Sequence, residues 1–255
     1  MMLIGNSCLI SFLSGCCILN LNLFTLQNDI KQISYEDSLC VVRGYTTYVS
    51  CCAFNYSFLI QSLYRYIKVL YPNFIFYQTL KCQLLMICLI WIFSFTFPLI
   101  FIFRNEIIYN EDNQICQIPF QFSFSILYLV HCAYLIPVLS IMFIYLKLIR
   151  FVKQISQRVK TGNILIRARR ELKMVQHTVI IITILIILCL PYAAFIFMSF
   201  FTPPPKYHFR ISYIFAEISL VCVMITLFYF TEPIKNSLLK KIRKRPRTME
   251  VLPRV

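Results

Sequence analysis

The chain has 255 residues, 59% of them hydrophobic, where a soluble globular domain has roughly 45–50% apolar residues; its mean hydropathy of +0.72 points the same way. Only 14% of residues are charged, yet Lys and Arg outnumber Asp and Glu by 25 to 10, which excludes an ordinary soluble domain and leaves a basic excess to be placed. Nucleic acid and an anionic membrane face both attract such an excess, and its distribution along the chain decides between them.

Crossing a hydrocarbon core of about 30 Å takes about 20 mostly apolar helical residues, each rising about 1.5 Å. Six stretches satisfy this, at approximately 2–26, 40–66, 82–103, 124–148, 174–201 and 211–230. The first is long and has neither a basic leader nor a small-x-small cleavage site, so it is read as a true span and not a secretory signal. The second is the most polar, with Arg43, Thr46, Thr47, Ser50, Asn55, Ser57, Gln61 and Ser62. Polar groups are costly against lipid, so this helix is predicted to stand at the centre of the bundle. The predicted fold class is all-α, a polytopic transmembrane helix bundle.

The connections alternate in charge. Asp29, Lys31, Glu36 and Asp37 follow the first span, and Arg104, Glu106, Glu111 and Asp112 follow the third. The opposite side carries Lys68 and Lys81, then Lys147, Arg150, Lys153, Arg158, Lys160, Arg167, Arg169, Arg170 and Lys173, and the tail from Lys235 to Arg254. By the positive-inside rule the basic side and the C-terminus are cytoplasmic. The basic segments flank membrane helices and lack interleaved aromatics, so the predicted partner is the anionic inner leaflet and not nucleic acid. Within the tail, Ile234, Leu238, Leu239 and Ile242 share one helical face, which predicts a short amphipathic helix over about 234–245 lying on the inner surface.

Twelve cysteines would suggest a disulfide scaffold in a small secreted chain, but Cys16, Cys17, Cys51, Cys52, Cys88, Cys132 and Cys222 lie in apolar runs and read as small buried hydrophobes. No CxxC pair has metal-ligand spacing, and His131, His177 and His208 are far apart, so neither a metal nor a cofactor is expected. Cys40 and Cys116 are different. Counting 25 helical residues from Cys40 to Arg65 gives about 37 Å, which sets the cysteine at the outer surface and the arginine at the inner one. Cys116 falls in the next outer loop. Both face the oxidising side, so a bridge tying that loop to the top of the central helix is expected, two free thiols being the alternative.

These residues resemble the rhodopsin-like G-protein-coupled receptors over nearly the whole chain. The Cys40 to Arg65 interval matches that family's spacing between its outer cysteine and its Asp-Arg-Tyr motif, which reads Tyr64-Arg65-Tyr66 here. Pro72 matches the proline of the second inner loop, Trp91 the tryptophan of the fourth receptor helix, and Pro137 with Tyr145 the proline and tyrosine of the fifth. Leu188-Cys189-Leu190-Pro191 stands where the family has Cys-Trp-x-Pro, and Tyr229 is the one residue of Asn-Pro-x-x-Tyr that remains. The first span resembles the family's second helix without its acid, with Ser11 near that place, so sodium regulation is not implied. The resemblance therefore implies a single receptor domain over 1–255, with six spans visible of a seven-helix fold whose first helix is missing from this sequence.

What the resemblance implies about function follows residue by residue. Arg65 and Tyr66 would engage a heterotrimeric G protein, with Pro72, Tyr145 and Tyr229 in the same machinery. Pro191 would provide the kink about which its helix swings. Glu171 would pair with Arg65 in an inner lock, its alternative partners being Arg167 and Arg170. An extracellular ligand would meet Thr47, Tyr48 and Cys51, with Tyr192 and Ser219 opposite. Thr47 occupies the position where aminergic receptors carry an aspartate, so a biogenic amine is not implied. Glu217, a carboxylate within a span, is a functional candidate by position, or else a polar contact with the missing helix.

The expectation is thus a plasma-membrane receptor that binds an unidentified ligand, activates a G protein by helix rearrangement, and is not an enzyme. Two alternatives remain: a nonproductive receptor fragment, and a small transporter or channel. Against the latter stand the absence of a Gly-rich filter, of a duplicated half, and of any acid within the spans other than Glu217.

Overall fold

The computed structural model describes residues 2–31, 38–71, 76, 79–121, 123–158, 179–180, 183–184, 186–187, 190–202 and 204–230. Its helices are α1 (Met2–Lys31), α2 (Cys40–Leu70), α3 (Leu80–Thr96), α4 (Leu99–Phe103), α5 (Phe124–Leu129), α6 (Ile136–Arg158), α7 (190–198) and α8 (His208–Phe230). A π-helical segment, Val130–Leu135, joins α5 to α6. Glu171, Pro72, Cys189 and the amphipathic tail expected over 234–245 lie outside the described residues, as do 174–178, 181–182, 185 and 188 of the span expected over 174–201.

Local sequence sets several boundaries. Thr79 caps α3 by accepting from the Cys82 amide at 3.4 Å, and Ser123 caps α5 by accepting from Ile126 at 3.3 Å. Pro98 cannot donate to Ser94, and the helix breaks there, resuming as α4. The third expected span is therefore two helices in line, together Leu80–Phe103.

Among the described residues, four helical stretches are long and apolar enough to cross a membrane: Met2–Lys31, Leu80–Phe103, Phe124–Phe151 and His208–Thr226. The protein is a multi-pass membrane protein, and the outward rows of large side chains suit a lipid boundary. On α3 these are Leu84, Leu85, Leu89, Ile92 and Phe95; on α8 they are Ile214, Ile218, Val221 and Ile225. The cysteine expectation needs correction at this boundary. Cys52 is buried, but Cys16 and Cys88 are exposed and the other thiols of the apolar runs are half-buried. A thiol is apolar enough to face lipid as readily as protein, so its position in an apolar run does not imply burial.

The polar second helix is central. α2 packs against α1, α3, α4, α6, the π segment and the loop hairpin. Its buried residues, from Cys40 through Gly44, Thr47, Tyr48, Cys52, Asn55, Phe58 and Gln61 to Ser62, cover far more of its circumference than the single stripe of a surface helix. By contrast α1 buries one stripe, Leu3, Ser7, Ile10, Ser14, Leu21, Thr25 and Asn28, at the spacing of one helical face. Polar pairs fix how α1 lies in the bundle. Gln61 Nε2 donates to Ser7 Oγ, and Ser14 Oγ donates to the Ser50 carbonyl at 3.4 Å. Trp91 Nε1 of α3 donates to Asn6 Oδ1 at 3.2 Å.

An element not expected from the sequence occupies the loop after α4. Strands β1 (Ile108–Asn110) and β2 (Ile115–Gln117) pair antiparallel, with Tyr109 opposite Cys116. Asn110 closes the turn: its Oδ1 accepts from both the amide and the side chain of Asn113 at 2.9 Å, and its carbonyl accepts from the Gln114 amide at 2.7 Å.

Candidate functional site

The two ends of α2 carry the candidate residues, and they differ in construction. At the first end Cys40 and Cys116 form a disulfide, with Cα atoms 5.4 Å apart. Of the two alternatives the sequence left open, the bridge is the one the structure contains. It holds β2 against the start of α2 so closely that a Cβ at Gly44 would lie 2.5 Å from the Cys116 carbonyl oxygen and 3.0 Å from Ile107 Cγ2. The absence of a side chain at Gly44 is what allows the strand to lie there.

Two turns along α2 from Cys40, Tyr48 is buried, and its hydroxyl accepts a hydrogen bond from the Ile118 amide at 3.0 Å. Its ring meets Phe101 of α4 edge-on, at 5.6 Å. Tyr192 of α7 packs against the same apolar cluster, in edge contact with Phe120 at 5.0 Å. Tyr48 and Tyr192 thus belong to one assembly, linked by the chain that follows β2. Thr47 and Ser219 are buried but bond within their own helices, donating to the carbonyls of Arg43 at 2.8 Å and Ala216 at 2.8 Å. Cys51 is half-buried and lies near the Asn55 amide, with Sγ at 3.9 Å.

Glu217 of α8 accepts a hydrogen bond from Asn22 Nδ2 of α1. Its polar contact is therefore with a helix present in the chain. Seven residues from each partner, Arg210 and Asp29 form a two-pronged ion pair at 2.5 and 3.0 Å. Equal spacing on both helices means that α1 and α8 run antiparallel with two polar contacts two turns apart. Arg43 of α2 joins this flank by lying 4.0 Å over the Phe24 ring.

Halfway along α2 is a feature that the sequence reading passed over. Pro137 has no amide hydrogen, so a carbonyl in the preceding turn loses its helical partner. In α geometry that carbonyl is Ala133, four residues back; in the π geometry that precedes Pro137 it is Cys132, five back. The Ile136 amide bonds to His131, the five-residue pattern. Two side chains of α2 supply the missing donors. Asn55 Nδ2 donates to the Ala133 carbonyl at 2.9 Å, and the Tyr56 hydroxyl donates to the Cys132 carbonyl at 3.0 Å. Beside them a void of about 10 Å³ between Asn55, Phe58, Pro137, Ile141 and Ile186 is at the lower limit for one water. The signal was present, because a proline within an apolar span predicts a donor on some neighbouring helix. Sequence alone does not say which neighbour.

At the opposite end of α2, Arg65 and Tyr66 are half-buried, and Tyr145 is half-buried on α6, which packs along α2. Pro191 lies at the start of the described part of α7. The backbone of Tyr229 lies in the last turn of α8, and its side chain lies outside the described residues.

No curated protein sequence matches this chain. Residues 8–229 match the family model of the seven-transmembrane receptors, rhodopsin family. That match spans α2, both cysteines of the disulfide, Pro137 and Pro191, and the family is one of signalling receptors and not enzymes. The chain belongs to the rhodopsin family of seven-transmembrane receptors.

Proposed function

We propose that the protein is a plasma-membrane receptor, with its C-terminus in the cytoplasm, that binds an extracellular ligand and activates a heterotrimeric G protein. The carrying observation is Arg65, a half-buried arginine on the central helix about 37 Å from the disulfide end. An arginine so placed can meet a partner protein when neighbouring helices move apart. Tyr66, Pro72, Tyr145, Glu171, Pro191 and Tyr229 complete the coupling machinery in this proposal, with Pro191 as the hinge. Thr47, Tyr48, Cys51, Tyr192 and Ser219 are the ligand side. The contact between Tyr192, next to Pro191, and the segment after β2 supports a link between the two ends.

The test is guanine-nucleotide exchange on a panel of purified heterotrimeric G proteins, with the chain reconstituted in lipid nanodiscs. Arg65→Ala is expected to reduce exchange by at least about tenfold, equivalent to about 1.4 kcal/mol of coupling. Exchange equal to that of empty nanodiscs across the panel, or equal in Arg65→Ala and the unaltered chain, would refute the proposal.

A further inference from the structure

The connection from β2 to α5 does not run over the surface as loops ordinarily do. It reads Ile118-Pro119-Phe120-Gln121, and Ile118 is 1% and Phe120 4% exposed. The Ile118 amide is bonded to the Tyr48 hydroxyl of α2. The Phe120 ring lies 5.0 Å from Tyr192 of α7 and 4.4 Å from Phe209 of α8, with His208 at 5.2 Å. Three helices at the disulfide end are therefore joined through the Ile118 amide and the Phe120 ring, neither of which belongs to any of them.

Two tethers hold this segment in place. The Cys40–Cys116 bridge lies two residues before Ile118. At the hairpin turn, buried Asn113 accepts from the Phe209 amide through Oδ1 at 3.2 Å, and its carbonyl accepts from Arg210 Nε at 3.4 Å. The segment is thus anchored to α2 on one side and to the start of α8 on the other. Its surroundings, Tyr48, Tyr192, His208 and Phe209, form an aromatic enclosure, and the carboxylate near His208, Asp112, is paired with Lys206 at 3.6 Å, so the enclosure is suited to a neutral ring.

We propose that Ile118–Phe120 is the resident occupant of the receptor's ligand site, with the Phe120 ring in the place that an aromatic group of a diffusible ligand takes. This rests on the assignment of Tyr48 and Tyr192 to the ligand side. A tethered occupant competes at an effective concentration on the order of millimolar, so a diffusible ligand binds by displacing it. Through Tyr192 and Phe209 the occupant biases the arrangement of α7 and α8 whenever its contacts differ between the two states of the bundle. The chemical class of the ligand is a neutral aromatic group.

The experiment uses the full chain in nanodiscs. Hydrogen exchange of the peptide covering residues 115–121 is expected to be at least ~100-fold slower than for unprotected amides, and about tenfold faster in Phe120→Ala. Benzene replaces the missing ring and is expected to raise the Tm of Phe120→Ala by about 2–4 °C. It does nothing comparable for Phe124→Ala, which removes the same ring from the exposed start of α5. If Phe120→Ala does not fold, Phe120→Leu and the unaltered chain carry the test through exchange alone. Unprotected exchange in the unaltered chain, or equal benzene shifts in the two alanine variants, would overturn the proposal. Guanine-nucleotide exchange is read in parallel: a change of threefold or more in Phe120→Ala is expected, and none in an active receptor would overturn the bias on α7 and α8. No exchange in any variant, alongside a protected segment and the benzene effect, would remove the receptor function and leave the seat standing.

Discussion

Asn55 on the central helix donates to the Ala133 carbonyl, one of the two carbonyls in the turn before Pro137 that α2 side chains serve. The proline removes an amide donor from its own helix, and side chains of the neighbouring helix supply donors there. Such a joint stabilises one register between α2 and α6 while leaving a short stretch of backbone that can adopt either α or π bonding.

Replacing Asn55 by Leu removes the donor and leaves a buried carbonyl unsatisfied, which costs about 1–3 kcal/mol. The expected readout is a lower Tm in nanodiscs. The Pro137→Ala background restores an amide donor, so the same substitution should be milder there. A double-mutant cycle measures this coupling, expected at about 0.5–3 kcal/mol. Strict additivity would separate the two residues.

Gly44→Ala puts a Cβ where the Cys116 carbonyl oxygen stands 2.5 Å away. The strand must retreat or the helix must shift, an overpacking of about 1–3 kcal/mol, and Gly44→Val should be worse. Mass spectrometry after alkylation would show a growing fraction of chains with Cys40 and Cys116 unbridged. Unchanged bridging and an unchanged Tm in both variants would contradict the close approach.

The bridge closes a loop with a sequence separation of 76 residues, for which the chain-entropy account gives about 4–5 kcal/mol. Cys40→Ser is expected to lower stability by a large part of that and to free the Cys116 thiol. In the unaltered chain, labelling of both residues should require reductant. Full labelling without reductant would show that the bridge does not form.

The two polar contacts between α1 and α8 should respond differently to substitution. Asp29→Asn breaks a half-exposed pair and should cost no more than about 1 kcal/mol, an effect that shrinks as salt is added. Glu217→Gln keeps an acceptor for Asn22 and should be nearly neutral, whereas Glu217→Leu strands the Asn22 amide and should cost about 1–3 kcal/mol. Thermal unfolding of the three variants at low and high salt distinguishes these cases, and equal losses in Gln and Leu would indicate that the Asn22 bond contributes nothing.

The legible part of this protein lay in features that one stretch of chain carries by itself. Apolar runs of membrane length announced the helices, and the polarity of residues 40–66 announced that α2 had to be interior, because no other place satisfies so many polar side chains. The spacing of Cys40 and Arg65 along one rigid helix located its two ends. The connection holding Cys116 is legible in sequence only as a loop, since two strands of three residues leave almost no periodic signal.

What the sequence by itself determined was therefore a bundle of membrane helices with α2 at its centre, since hydropathy and helical rise are properties of single segments. Only the tertiary structure decided that Asn55 and Tyr56 serve the carbonyls of Ala133 and Cys132, that Glu217 meets Asn22, and that Phe120 sits between α7 and α8. These are pairings between segments far apart in the chain. A proline or a buried ring states that a partner is needed, and the packing of the helices selects which residue supplies it.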